Sequence, residues 1–72
     1  MYMYMFVGVV TRKNSAELLR ELRQYSNNII AVIIHYPDNT VVVDFREEPT
    51  KEELENIKSK LNATRYEKVE QR

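Results

Sequence analysis

The sequence predicts an α+β two-layer sandwich: a four-stranded antiparallel sheet with two helices on one face. Three observations carry that expectation. Residues 29–46, IIAVIIHYPDNTVVVDFR, place two β-branched runs around a Pro-Asp-Asn turn, which is a hairpin signal. Asn14 with Glu17, and Thr50 with Glu53, have the spacing of capping boxes that open helices. The chain begins with an apolar alternating run, MYMYMFVGVV, and finishes with a charged one, ATRYEKVE.

Taken in order, Tyr2 to Val10 is the first strand. Tyr2, Tyr4 and Phe6 alternate with Met3, Met5 and Val7, so one face is aromatic and the other aliphatic. Neither is polar, which suits a central strand covered on both sides. Gly8, the only glycine, marks a bulge or a close backbone approach. A helix is expected from about Ser15 to Ser26, with Leu18, Leu19, Leu22 and Tyr25 as its apolar stripe and Asn27 or Asn28 as a left-handed stop.

The hairpin follows. Pro37 presets φ for a turn, and Asp38 and Asn39 tolerate turn and left-handed conformations. With a three-residue loop, Tyr36 pairs with Thr40, Ile34 with Val42, Val32 with Asp44 and Ile30 with Arg46. A four-residue loop shifts the register by one and exchanges the faces of the first arm. The three-residue loop is the preferred reading. The second helix is expected from about Lys51 to Leu61, held from starting earlier by Pro49, with Leu54, Ile57 and Leu61 buried and Asn62 as its stop. Ala63 to Glu70 is the last strand, and its charges suit a sheet edge.

The order strand-helix-strand, strand-helix-strand, with right-handed crossovers, puts both helices on one sheet face. This is the ferredoxin-like βαββαβ sandwich as a single domain over residues 1–72, with the first and third strands central. A chain of this length buries only roughly 60% of the surface its unfolded form exposes, so its margin of stability is thin.

Composition excludes several roles. Eleven basic and eleven acidic residues give zero net charge, hence no global attraction to nucleic acid or to an acidic membrane. Without cysteine there is no disulfide and no thiolate metal site. The apolar start lacks a basic lead-in and a small-residue cleavage site, and it is about half the ~20 residues a membrane span needs. The cytoplasm is the expected compartment.

The second sheet face has no helix to cover it. In the preferred register it carries Tyr2, Tyr4, Phe6, Val10, Ile30, Val32, Ile34, Tyr36 and Val42, interrupted by Thr40, Asp44 and Arg46, with Lys68 a further candidate. In the shifted register Ala31, Ile33 and His35 replace the Ile30 set. An apolar patch of this size on a small domain marks an interaction site. The expected function is therefore a non-enzymatic module that self-associates, as a homodimer or higher homo-oligomer, through the open face or the second-strand edge. That edge carries no charge from Ile29 to Ile34. Tyr2, Tyr4, Phe6, Ile30, Val32, Ile34, Tyr36 and Val42 are the interface candidates. The alternative is single-stranded nucleic-acid binding on an aromatic platform.

MFVGVV, Met5 to Val10, resembles the first-strand motif of RNA-recognition-motif domains, with Phe6 at the stacking position; the resemblance implies base stacking on the sheet. At the third strand this chain reads DNTVVVDF, with Thr40 and Val42 where that family has aromatics. The spacing is also similar to heavy-metal-associated domains, whose Cys-x-x-Cys is replaced here by residues 11–15, TRKNS. Acylphosphatases share the topology, but their arginine-bearing, glycine-rich phosphate loop is absent.

No catalytic or cofactor site is expected. His35, the only histidine, has no serine placed for a triad, and Asp38 belongs to the turn. Glu47, Glu48, Glu52, Glu53 and Glu55 crowd the start of the second helix, where carboxylates favour the helix dipole. Arg12 and Lys13 are read as solvated loop charges.

Overall fold

The structure, a computed structural model, describes residues 2–69, with the backbone alone at Tyr36. Its elements are β1 (Tyr2–Val7), α1 (Ser15–Leu22), β2 (Ile29–His35), a 3₁₀ turn (Tyr36–Asp38), β3 (Thr40–Phe45), α2 (Lys51–Leu61) and β4 (Arg65–Val69). The strands form one antiparallel sheet in the order β2-β3-β1-β4. This is the ferredoxin-like α+β sandwich, with the first and third strands central as expected.

Both capping boxes form. Asn14 accepts from the Glu17 amide and Thr50 from the Glu53 amide, while each glutamate reaches back to the amide of its cap. Asn62 closes α2 in the left-handed region, φ 55°. The first helix is shorter than expected. It ends at Leu22, and Gln24, Tyr25 and Ser26 continue as a turn whose amides fall back on Glu21 and Leu22. Tyr25 therefore stands outside the buried stripe, 40% exposed. Neither Asn27 nor Asn28 is left-handed. Asn28 instead clamps the start of β2 to the end of β3: its side chain accepts from the Glu47 amide at 2.8 Å and donates to the Glu47 carbonyl at 2.6 Å.

The strands are also shorter at their ends. β1 stops at Val7, because Gly8 turns the chain at φ +77°. The expected strand position Glu70 lies outside the described residues.

The hairpin adopts the four-residue loop. His35 pairs with Thr40, Ile34 with Val41, Ile33 with Val42 and Val32 with Val43. The preferred three-residue reading is thus displaced by one residue. Pro37, with its fixed φ, fits inside the 3₁₀ turn, and Asn39 supplies the left-handed residue at φ 51°, so the turn takes in Tyr36 as well. A register shift between Ile29 and Ala31 restores Ile29 to the buried side opposite Phe45.

The core lies between the sheet and the helices. Phe6, Leu22, Ile29, Val41, Val43, Phe45 and Ile57 are almost fully enclosed, with Tyr4, Val9, Leu18, Val32, Leu54 and Leu61 around them. The aromatic face of β1 thus points at the helices, contrary to the expectation that placed Tyr4 and Phe6 on the open side. Both faces of β1 are apolar, so alternation does not choose between them. On the helix side the aromatics gain ring partners, Phe45 and Tyr66, and such pairs add about 0.5–1.5 kcal/mol beyond area burial. Tyr4 meets Phe45 edge-on at 5.9 Å, and Phe6 meets Tyr66 at 5.5 Å.

Candidate functional site on the open sheet face

Strand pairing lays the open face out as three rows read across β2, β3, β1 and β4. The first row is Ala31, Asp44, Met3, Val69. The second is Ile33, Val42, Met5, Glu67. The third is His35, Thr40, Val7, Arg65. The centre is apolar. Val42 is only 9% exposed although it lies outside the helix-side core, because Ile33 and Met5 flank it on the neighbouring strands. Ile33 is 46% exposed.

Of the expected interface residues, Val42 lies on this face. Tyr4, Phe6 and Val32 belong to the core, and Ile34 packs against it from the side. Tyr2 is on the helix side, with the Lys68 ammonium 5.5 Å from its ring. Ile30 sits at the register shift, partly exposed on the edge strand. Val10, beyond β1, is strongly exposed. The Tyr36 side chain lies outside the described part. None of the three rows contains a tyrosine or phenylalanine, so the platform that Tyr4 and Phe6 were expected to build is not on this side.

Charge on the open face is sparse and unevenly met. Arg65 and Glu67 pair with each other at 3.5 Å on β4. Asp44 stands in the first row between Ala31 and Met3, and its Oδ1 is buried with no hydrogen-bond partner among the described residues. Arg46, two residues further on and exposed, does not reach it. His35 is exposed at the opposite corner. The sequence placed Asp44 among branched aliphatics, but the missing partner depends on the register and was not legible.

The remaining charged clusters are engaged in holding the fold. Glu48 accepts from the Tyr4 hydroxyl and, at 3.1 Å, from Lys68, tying the β3–α2 connection to β1 and β4. Burial, and then the Glu48 carboxylate, push the Tyr4 hydroxyl up to about 12, and hydrogen bonds from Tyr4 and Lys68 hold Glu48 below the usual carboxylate range. Glu53 is lowered by hydrogen bonding from Ser26 and from Thr50. Glu55 accepts from the Tyr66 hydroxyl at 2.9 Å, which raises that hydroxyl's pKa. Among the described residues no group of three or more potential ligands could hold a metal ion.

A shallow cleft of about 310 Å³ runs along Val9–Lys13 and the end of α2. Its lysines are neutralised in place: Glu21 takes a hydrogen bond from Lys13 at 2.7 Å and pairs with Lys60 at 3.2 Å, and its carboxyl is lowered by both. The Arg12–Lys13 loop therefore offers less positive charge than its sequence suggests.

No protein-family model, no curated protein and no solved structure matches this chain. Its function has to be argued from the face itself. Among the described residues no helix is long and apolar enough to cross a membrane.

Proposed function

We propose that this chain is a non-enzymatic interaction module that self-associates through the open face of its sheet. One observation carries the reading: the row Ile33, Val42, Met5 is apolar across three adjacent strands and has no layer over it. Covering side chains of this size is worth roughly 1.5–3 kcal/mol each when burial is complete, a large gain for so small a domain. The non-enzymatic part is supported by the titratable groups with shifted pKa values, each of which is held in a cap, an ion pair or a tyrosine–carboxylate contact.

The edge of β2 supports a second route to the same outcome. It is an outer strand, and no charge blunts it from Ile29 to Ile34, whereas β4 at the other edge reads Arg-Tyr-Glu-Lys-Val. Sedimentation velocity at high micromolar concentration separates the routes. Face packing is weakened by Met5→Glu and spared by Ile30→Lys; edge pairing shows the reverse. A wild-type chain that sediments as a monomer at that concentration removes the proposal.

A further inference from the structure

We propose that the cleft between the β1–α1 loop and the end of α2 binds a small phosphomonoester, with a compact apolar group behind its phosphate. This goes beyond self-association and does not rest on it. The cleft encloses about 310 Å³, the lower end of the range that small-molecule sites occupy. Its lining divides by chemistry. Val9, Leu18 and Leu61 are buried and form the floor, and Val10, 85% exposed, carries the apolar surface out to the mouth. Arg12, Lys13 and Lys60 supply positive charge.

Folding assembles these cations, because Lys60 comes from the last turn of α2 and local spacing does not foreshadow its place beside Arg12 and Lys13. Glu21 offsets part of the charge. Its one carboxylate stands between two ammonium groups, 2.7 Å from Lys13 and 3.2 Å from Lys60, and so balances one of them. Arg12, exposed on the loop, makes no hydrogen bond or ion pair among the described residues. Two positive charges are thus left at the cleft, which matches the charge of about −1.5 to −2 on a phosphomonoester at neutral pH. A guanidinium fork takes two phosphate oxygens, and an ammonium meets a third as a point charge. The nearby end of α2 does little to oppose an anion, since its last carbonyls, Lys58 and Ser59, accept from the Ala63 and Asn62 amides. The loop is ordered by its own bonds: the Lys13 amide donates to the Thr11 hydroxyl at 3.0 Å and the Val9 amide to the Asn39 carbonyl at 2.8 Å. Binding therefore costs little ordering. Zero net charge over the chain gives no long-range pull on a polyanion, so the ligand is a small molecule with a single terminal phosphate.

The test is a titration of the whole chain with phenyl phosphate at physiological salt, read by amide NMR shifts. Amides of residues 9–13 and 60–62 should move together and saturate. Inorganic phosphate, which lacks the apolar part, and phenyl sulfate, a monoanion of the same shape, should each bind more weakly. Arg12→Gln and Lys60→Gln should each weaken binding by about three- to fivefold, the scale of an exposed charge contact. Both side chains are exposed, so both variants keep the fold. Lys51→Gln removes the same charge at the other end of α2, about 14 Å away by helix rise and beyond the screening length, and should change nothing. The proposal is overturned by an absence of saturable shifts up to about 10 mM phenyl phosphate, well past the millimolar scale of a weak site. Equal binding of inorganic phosphate or phenyl sulfate overturns it too, as does a loss on Lys51→Gln that equals the loss on Lys60→Gln.

Discussion

An alanine at position 8 would place its Cβ 3.0 Å from both Cγ2 and Oγ1 of Thr64, at a backbone φ of +77° that side chains rarely adopt. Thr64 has little room to retreat, because its amide and its hydroxyl both donate to the Val7 carbonyl, at 2.8 Å and 3.1 Å. Gly8→Ala should therefore lose about 1–2 kcal/mol in urea unfolding, from strain and crowding together. Tyr4 makes a second prediction of this kind. Its hydroxyl titrates near 12 in the folded chain against 10 as the ordinary value, so the folded state holds that proton more tightly. The stability this contributes is complete below pH 10 and is lost as pH rises towards 12. Tyr4→Phe should flatten this alkaline limb in thermal melts and cost about 1 kcal/mol at neutral pH. Glu48 acts in the opposite direction. Its lowered pKa contributes stability above the ordinary carboxylate range that is lost on acidification.

At the level of elements, the helices follow their caps. Thr50→Ala should destabilise by about 1 kcal/mol in chemical denaturation, since the Glu53 amide loses its acceptor and the capping box opens. This part of the fold was legible because the cap, the stripe and the stop of α2 are encoded within a dozen neighbouring residues. The end of α1 was not. The periodicity of Leu18, Leu22 and Tyr25 continues past the point where Arg23 caps the helix, and Arg23 is drawn off by the Ile29 carbonyl of β2, to which its guanidinium donates at 3.2 Å and 3.3 Å. That contact joins two elements and leaves no mark on local spacing. The hairpin register was open for a related reason. A turn of three residues and one of four are both consistent with Pro37, Asp38 and Asn39, and the choice reverses which face of β2 is buried.

For the whole molecule, the decisive ambiguity lay in β1. Tyr4 and Phe6 alternate with Met3 and Met5, and either set satisfies a buried face; the aromatics take the core, where they meet Phe45 and Tyr66. Mutations at the two sets should therefore separate folding from association. Phe6→Ala should cost about 3–5 kcal/mol and largely unfold a domain of this size. Ile33→Lys, on the exposed side of β2, should leave the circular dichroism spectrum and melting temperature nearly unchanged while reducing the sedimenting mass to that of one chain. Titration of labelled single-stranded RNA at low salt should show no saturable binding at tens of micromolar protein. The net charge is zero, and among the described residues the open face carries no tyrosine or phenylalanine, only the single imidazole of His35 at one corner.

The two margins of the sheet differ in kind, and that difference bears on how the strand edges could pair. β2 is bare of charge over most of its length, while β4 is studded with arginine, glutamate and lysine. Strand-to-strand addition is therefore open on one flank only. Were two such flanks to pair, they would consume each other and leave the charged β4 strands outermost, so growth through the strand edges alone would end at two chains.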